Sequence, residues 1–92
     1  MRPDTVLRRC ADVRFRTVLD EGVVIKQDTA EVLVLSEVGA RILELLDGSR
    51  TMAEVETALA EEFDAPGDEI RADLGRYVAE LLAAGVIEEA PT

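Results

Sequence analysis

The chain has no histidine and no tryptophan, and among its 92 residues there are one cysteine, one tyrosine and two phenylalanines. Without histidine no side chain has an ordinary pKa near neutrality, so Ser-His-Asp and Cys-His sites are excluded and the commonest general base is missing. The lone Cys10 cannot close an internal disulfide, and zinc sites need several Cys or His ligands at set spacing. No base stands ready to activate its thiol, so Cys10 reads as structural. No stretch approaches the roughly 20 apolar residues of a membrane span, and the opening MRPDTVLRRC is followed by no apolar run of signal-peptide length. These absences lead to the expectation of a cytoplasmic protein that is not an enzyme, holds no cofactor or metal and enters no membrane.

What is present is charge and aliphatic surface. Hydrophobic residues make up 48% and charged residues 33%, the balance of a globular domain rather than a disordered chain. At this length one domain, residues 1–92, builds one modest core and hides roughly two thirds of the surface of the unfolded chain. The net charge is -10 with a pI of about 4.3, unevenly placed. Residues 1–26 hold six basic and four acidic side chains, whereas the remaining 66 hold four basic and sixteen acidic ones. A mildly basic front thus precedes a back half at -12. All basic residues but Lys26 are arginine, a bias typical of GC-rich bacterial genomes.

The hydrophobic period changes along the chain. From Val13, VRFRTVL places Val13, Phe15 and Thr17 on one face and Arg14 and Arg16 on the other, the period-two pattern of a strand with one wet face. Asp20-Glu21-Gly22 marks a turn, GVVIKQ is a second β-branched run, Asp28-Thr29 turns again, and AEVLVL gives a third strand, Ala30 to Leu35. After Leu35 the spacing becomes helical. Ser36 is a suitable N-cap for a stripe of Val38, Ile42, Leu45 and Leu46, and Asp47-Gly48 stops the helix, with Gly48 as its left-handed cap. Thr51-Met52-Ala53-Glu54 forms a capping box opening a second helix with Met52, Val55, Leu59 and Phe63 inward. A third helix from about Asp68 to Ala84 buries Ile70, Leu74, Tyr77, Val78 and Leu81, and Val86-Ile87 tucks back onto the core.

The expected fold is therefore α+β and winged-helix-like, an N-terminal three-stranded antiparallel meander followed by three α-helices. That arrangement raises a winged-helix transcriptional regulator binding DNA as one candidate function. Charge opposes it, because DNA readers present basic faces to phosphate, whereas the last two helices carry eight carboxylates (among them Glu54, Glu61, Asp68 and Glu80) against Arg71 and Arg76. No nucleic-acid partner is expected.

A more promising surface is a sheet edge. In a three-stranded meander the first and third strands are edges, which proteins normally guard with charge, proline or a bulge. The first strand has Arg14 and Arg16; the third has Glu31 alone, followed by Val32-Leu33-Val34-Leu35 with apolar residues on both faces. A strand needs one apolar face to sit on helices, so the second asks for cover. An extended peptide docking by strand addition is the leading occupant. A central position for the strand, cover by its own third helix, and a homodimer through this edge are the alternatives.

Here the residues resemble a known family. A three-strand N-terminal half, LVLSEVGARILELLDGSRTMAEVETALAEEF, a break, and a final amphipathic helix ending LLAAGVIE are similar to the PqqD-like proteins, also called RiPP recognition elements. The most specific stretch is Leu35 to Glu54, and the resemblance covers about residues 5–89. It implies a non-catalytic adaptor that binds the leader of a ribosomally made precursor peptide. The leader would lie as an added strand along the third strand and against the third helix, for presentation to a maturation enzyme: a radical-SAM enzyme, a cyclase or a leader peptidase. Carried onto this chain, it implies a peptide site of Glu31, Val32, Leu33, Val34 and Leu35 with some of Ile70, Arg71, Leu74, Arg76, Tyr77 and Val78.

Each helical residue also has a purely structural use. Tyr77 can be a core residue whose hydroxyl serves both roles. Arg71 and Arg76 can pair with Asp68, Asp73 and Glu80 at i+3 or i+4 spacing; if they line the groove instead, they select an acidic leader side chain. Gly75 costs about 1 kcal/mol relative to alanine inside a helix, which suggests close approach of another backbone.

Overall fold

The period-two pattern from Val13 forms one of two sheets in the computed structural model, which describes residues 2–91. In chain order the elements are β1 (Val6–Arg9), β2 (Val13–Val18), β3 (Glu21–Lys26), β4 (Glu31–Leu35), α1 (Glu37–Leu45), β5 (Asp47–Thr51), α2 (Met52–Phe63), α3 (Gly67–Ala83) and β6 (Ile87–Glu89). The expected meander is β2-β3-β4, antiparallel throughout, with Phe15, Val24 and Leu33 aligned across it on the helix side. β4, the third strand of the meander, is an edge.

A second sheet, in the order β5-β1-β6, was not expected from the sequence. Its strands are four, five and three residues long in chain order, and Asp47-Gly48-Ser49 has turn composition. Pairing between distant segments overrides that local preference. Gly48 consequently has a different role from the one its position suggested. Helix α1 ends at Leu46, whose N–H donates to the Ile42 carbonyl, while Gly48, at φ 86°, occupies an irregularity where β5 spends extra residues between Val6↔Thr51 and Arg8↔Asp47.

The core lies between the two sheets and the three helices. Leu7, Val24, Ile42, Leu43, Leu46, Val55, Leu59, Val78 and Val86 are all but inaccessible. The stripes read from the helical spacing are buried as expected for Ile42, Leu45 and Leu46 on α1, Met52, Val55 and Leu59 on α2, and Ile70, Leu74, Val78 and Leu81 on α3. Val38, Phe63 and Tyr77 pack against that core but remain partly open. Gly22 sets the spacing between β3 and α1: a Cβ there would fall 2.8 Å from that of Ala40.

The start of α2 is held by three independent acceptors. Met52 N–H donates to the Thr5 carbonyl, Ala53 N–H to the Pro3 carbonyl, and Glu54 N–H to Thr51 Oγ1, while Glu54 Oε1 accepts from Thr51 N–H. This closes the capping box and ties the N-terminal segment to the helices. The Thr51 N–H holds the Glu54 carboxyl below its ordinary range. At the other end of the helical half, Gly85 at φ 74° closes α3, with Gly85 N–H donating to the Leu82 carbonyl and Val86 N–H to that of Leu81.

Two outcomes follow for the cap. Thr51→Ala lowers unfolding free energy by about 1 kcal/mol in urea titrations. Because the Glu54 pKa is depressed on folding, the stability it contributes is present above its ordinary value of 4.5 and is lost as pH falls through the lowered one. Glu54→Gln keeps the acceptor and removes the titration, so the acid limb of stability against pH becomes shallower.

Candidate functional site

Along its free edge β4 presents unpaired backbone groups, and its side chains alternate between two environments. Leu33 and Leu35 are partly buried and pack toward the core, whereas Val32 and Val34 are 58% and 64% exposed. Glu31, at the start of the strand, approaches Lys26 Nζ at 3.9 Å. The opposite edge, β2, bears Arg14 and Arg16. Edge protection by charge is thus present on one side of the sheet and nearly absent on the other.

Two contacts fix α3 relative to β4, one through Ser36, the residue after the strand, and one through Lys26, its register neighbour on β3. Near the end of β4, Tyr77 Oη and Ser36 Oγ are 2.9 Å apart, and the same Ser36 oxygen accepts the Gly39 N–H as the N-cap of α1. Gly39 makes room for the aromatic ring, since a Cβ there would meet Tyr77 Cε1 at 3.0 Å and Leu35 Cβ at 3.3 Å. Near the start of β4, Lys26, paired in register with Glu31, brings its amino group against Gly85 beyond the end of α3. The last turns of α3 therefore run antiparallel to β4. Leu33, Leu35, Tyr77 and Ala84 are half-buried apolar residues along the two elements. Helical spacing places Asp73, Tyr77, Glu80 and Ala84 in one row along α3.

The sequence-derived residues divide accordingly. Tyr77 is brought to Ser36, just beyond the end of β4. Ile70, Leu74 and Val78 are core residues at 8%, 2% and 0% exposure, the stripe that holds α3 in place. Arg71 points to α2, where its Nε donates to Glu56 Oε1 at 3.0 Å. Arg76 bonds Asp73 at 3.3 Å and lies over the Tyr77 ring at 5.8 Å. Both arginines are thus engaged with carboxylates, and only Arg76 stands on the Tyr77 side. A Cβ at Gly75 would meet nothing within 4 Å, and the residue borders a hollow with Met52, Glu56 and Leu74, so no other backbone approaches it. Sequence reasoning missed Ser36, Lys26, Glu80 and Ala84. A signal existed for the last two, which repeat with Tyr77 at i+3 and i+7.

The chemistry available here is hydrogen bonding and apolar contact. Among the described residues no cluster of His, Cys, Asp and Glu is placed to hold a metal, and no helix is long and apolar enough to cross a membrane. Burial first, then a hydrogen bond to Glu88, pushes the Cys10 thiol up from its ordinary value, the opposite of nucleophile activation.

This geometry has relatives. The family Coenzyme PQQ synthesis protein D (PqqD) matches residues 21–87, which include β3, β4 and all three helices. The chain belongs to the PqqD family. It is 26% identical over 84 residues, 91% of its length and 86% of the relative's, to a PqqA binding protein of Rhizobium meliloti (strain 1021). Its fold is similar to that of TbiB1, solved in complex with the TbiA(beta) leader peptide, with a TM-score of 0.81 and 23% identity over 88% of this chain and 94% of that one. The heterocyclase TruD carries the fold within a much larger chain: the TM-score is 0.62 and identity 19%, over 92% of this chain and 11% of that enzyme. The same fold thus spans nearly all of one neighbour's chain and a small part of the other's.

Tyr77→Phe retains the ring and removes the bond to Ser36. Chemical denaturation is expected to show a loss of about 0.5–1 kcal/mol, since the bond is solvent-exposed. Gly39→Ala displaces the ring, and because the chain has one tyrosine and no tryptophan, intrinsic fluorescence reports that displacement directly.

Proposed function

We propose that this chain is a non-catalytic adaptor. It binds the leader segment of a ribosomally synthesised precursor peptide as an added strand on β4, against α3, and presents it to a maturation enzyme. The observation that carries this reading is the edge strand itself, apolar on both faces and guarded by Glu31 alone. Membership of the PqqD family, the relative described as a PqqA binding protein, and a similar fold solved with a leader peptide all support it. The TruD likeness supports an enzyme as the second partner.

Main-chain pairing alone is insufficient. Four to six backbone hydrogen bonds, each worth about 0.5–1.5 kcal/mol net, offset only part of the cost of ordering a peptide. Apolar leader side chains at alternate positions, seated on Leu33, Leu35 and Tyr77, supply the remainder. Asp73 and Glu80 beside Tyr77, with Glu31 at the start of the strand, favour a basic residue flanking those apolar side chains.

DNA binding fits less well. Most arginines of the chain are tied to carboxylates, as in Arg8–Glu88, Arg41–Glu62, Arg50–Asp47 and Arg71–Glu56. Phosphate contact would have to break those pairs on a chain of net charge -10.

The test is a titration with a labelled leader of the precursor encoded beside this gene. Saturable binding is expected, weakened about tenfold by Leu33→Ala or Tyr77→Ala. Binding indifferent to both changes, or a low-salt gel shift with duplex DNA, overturns the reading.

A further inference from the structure

Five of the six large apolar side chains exposed on the described residues belong to one sheet or its hairpin tip: Val18, Leu19, Ile25, Val32 and Val34. Alternation explains the arrangement. With Phe15, Val24 and Leu33 turned to the helices, the registers Arg14↔Ile25↔Val32 and Arg16↔Val23↔Val34 run across the opposite face. That face is a β-branched surface with two arginines along its β2 side. Neither Arg14 nor Arg16 makes an ion pair or a side-chain hydrogen bond among the described residues, in a chain where most other arginines do.

Leu19 adds an independent observation. It is 96% exposed and held at φ 57° in the two-residue connection between β2 and β3, a backbone region where glycine or asparagine would be unstrained. An apolar side chain at a strained, fully wet position adjoining an apolar face gains nothing from burial within this fold. Cover by a partner would offset that cost.

We propose that the outer face of β2-β3-β4 is the docking surface for the maturation enzyme, which reads it together with the outward side chains of the peptide strand added at β4. This inference rests on the peptide-binding reading. Continuity selects the occupant: a strand added beyond β4 extends the same pleated surface, so its alternate side chains stand next to Val32 and Val34. Charge selects its chemistry, because two spare cations on an otherwise acidic protein call for a partner with an apolar centre rimmed by carboxylates.

Size argues against a permanent second copy. Three strands at ~4.8 Å spacing and six residues at ~3.3 Å give a face of roughly 300 Å², far short of the ~800 Å² per partner of a stable complex. A patch of this size suits a transient contact that grows when a fourth strand joins. Enzyme and leader consequently strengthen each other's binding by the same factor.

The experiment measures binding of the enzyme that modifies the neighbouring precursor to this protein, with and without saturating leader. Leader affinity is measured separately. Wild type is expected to bind the enzyme at least about threefold more tightly when loaded. Ile25→Glu and the double variant Arg14→Glu/Arg16→Glu keep leader affinity within about twofold and lose enzyme affinity at least about tenfold. Unchanged enzyme binding by both variants with leader binding intact overturns the docking surface. Failure of wild type to bind the leader overturns the peptide reading instead, and with it the composite surface. Micromolar self-association in sedimentation velocity, abolished by Ile25→Glu, assigns the face to a second copy and likewise overturns the proposal.

Discussion

A three-stranded sheet that packs on helices by one face leaves its other face and two edges to water, and this constraint organises the molecule. β2 meets it with Arg14 and Arg16, whereas β4 carries valines outward, leucines inward and one glutamate at its start. The core cannot resolve that asymmetry, because Leu33 and Leu35 already satisfy it from the inner side. What is left is an open hydrogen-bonding edge with half-buried Leu33 and Leu35 on its inner side and Tyr77 of α3 near its end. A free edge with alternating apolar side chains is what strand addition uses.

The helical half holds this edge in place. Ile70, Leu74, Val78 and Leu81 anchor α3 on the core, which leaves Tyr77 and Ala84 partly open along its β4 side. Gly39 and Gly22 let α1 approach Tyr77 and β3 closely, so the wall and the edge are positioned by the same short helix. The capping box at Thr51 and the Gly85 stop fix the ends of α2 and α3. Acidic residues on these helices disfavour phosphate contact along the helical surface.

Much of this was legible in the sequence because it is written in local periodicity. The meander, the three helices, their buried stripes and the capping box follow from spacings of two and of three to four residues. The β5-β1-β6 sheet was not legible. Val6–Arg9 pairs with segments some forty and eighty positions away, and Asp47-Gly48-Ser49 carries a turn signal that long-range pairing overrides. The site was readable on its strand side and less so on its helix side. Period two states which β4 residues share a face, but the side of α3 that meets β4 depends on where α2 packs. Arg71 illustrates this: its spacing suits local partners on α3, yet it bonds Glu56 on α2.

The central claim is that the free edge of β4 is where a precursor leader pairs. Hydrogen–deuterium exchange at residues 31–35, with and without the leader, tests it most directly. The account predicts fast exchange at the outward amides of β4 in the free protein and strong protection when the leader is bound, with β2 amides unchanged. Leader binding that leaves β4 exchange unaltered, or protects β2 instead, would contradict it.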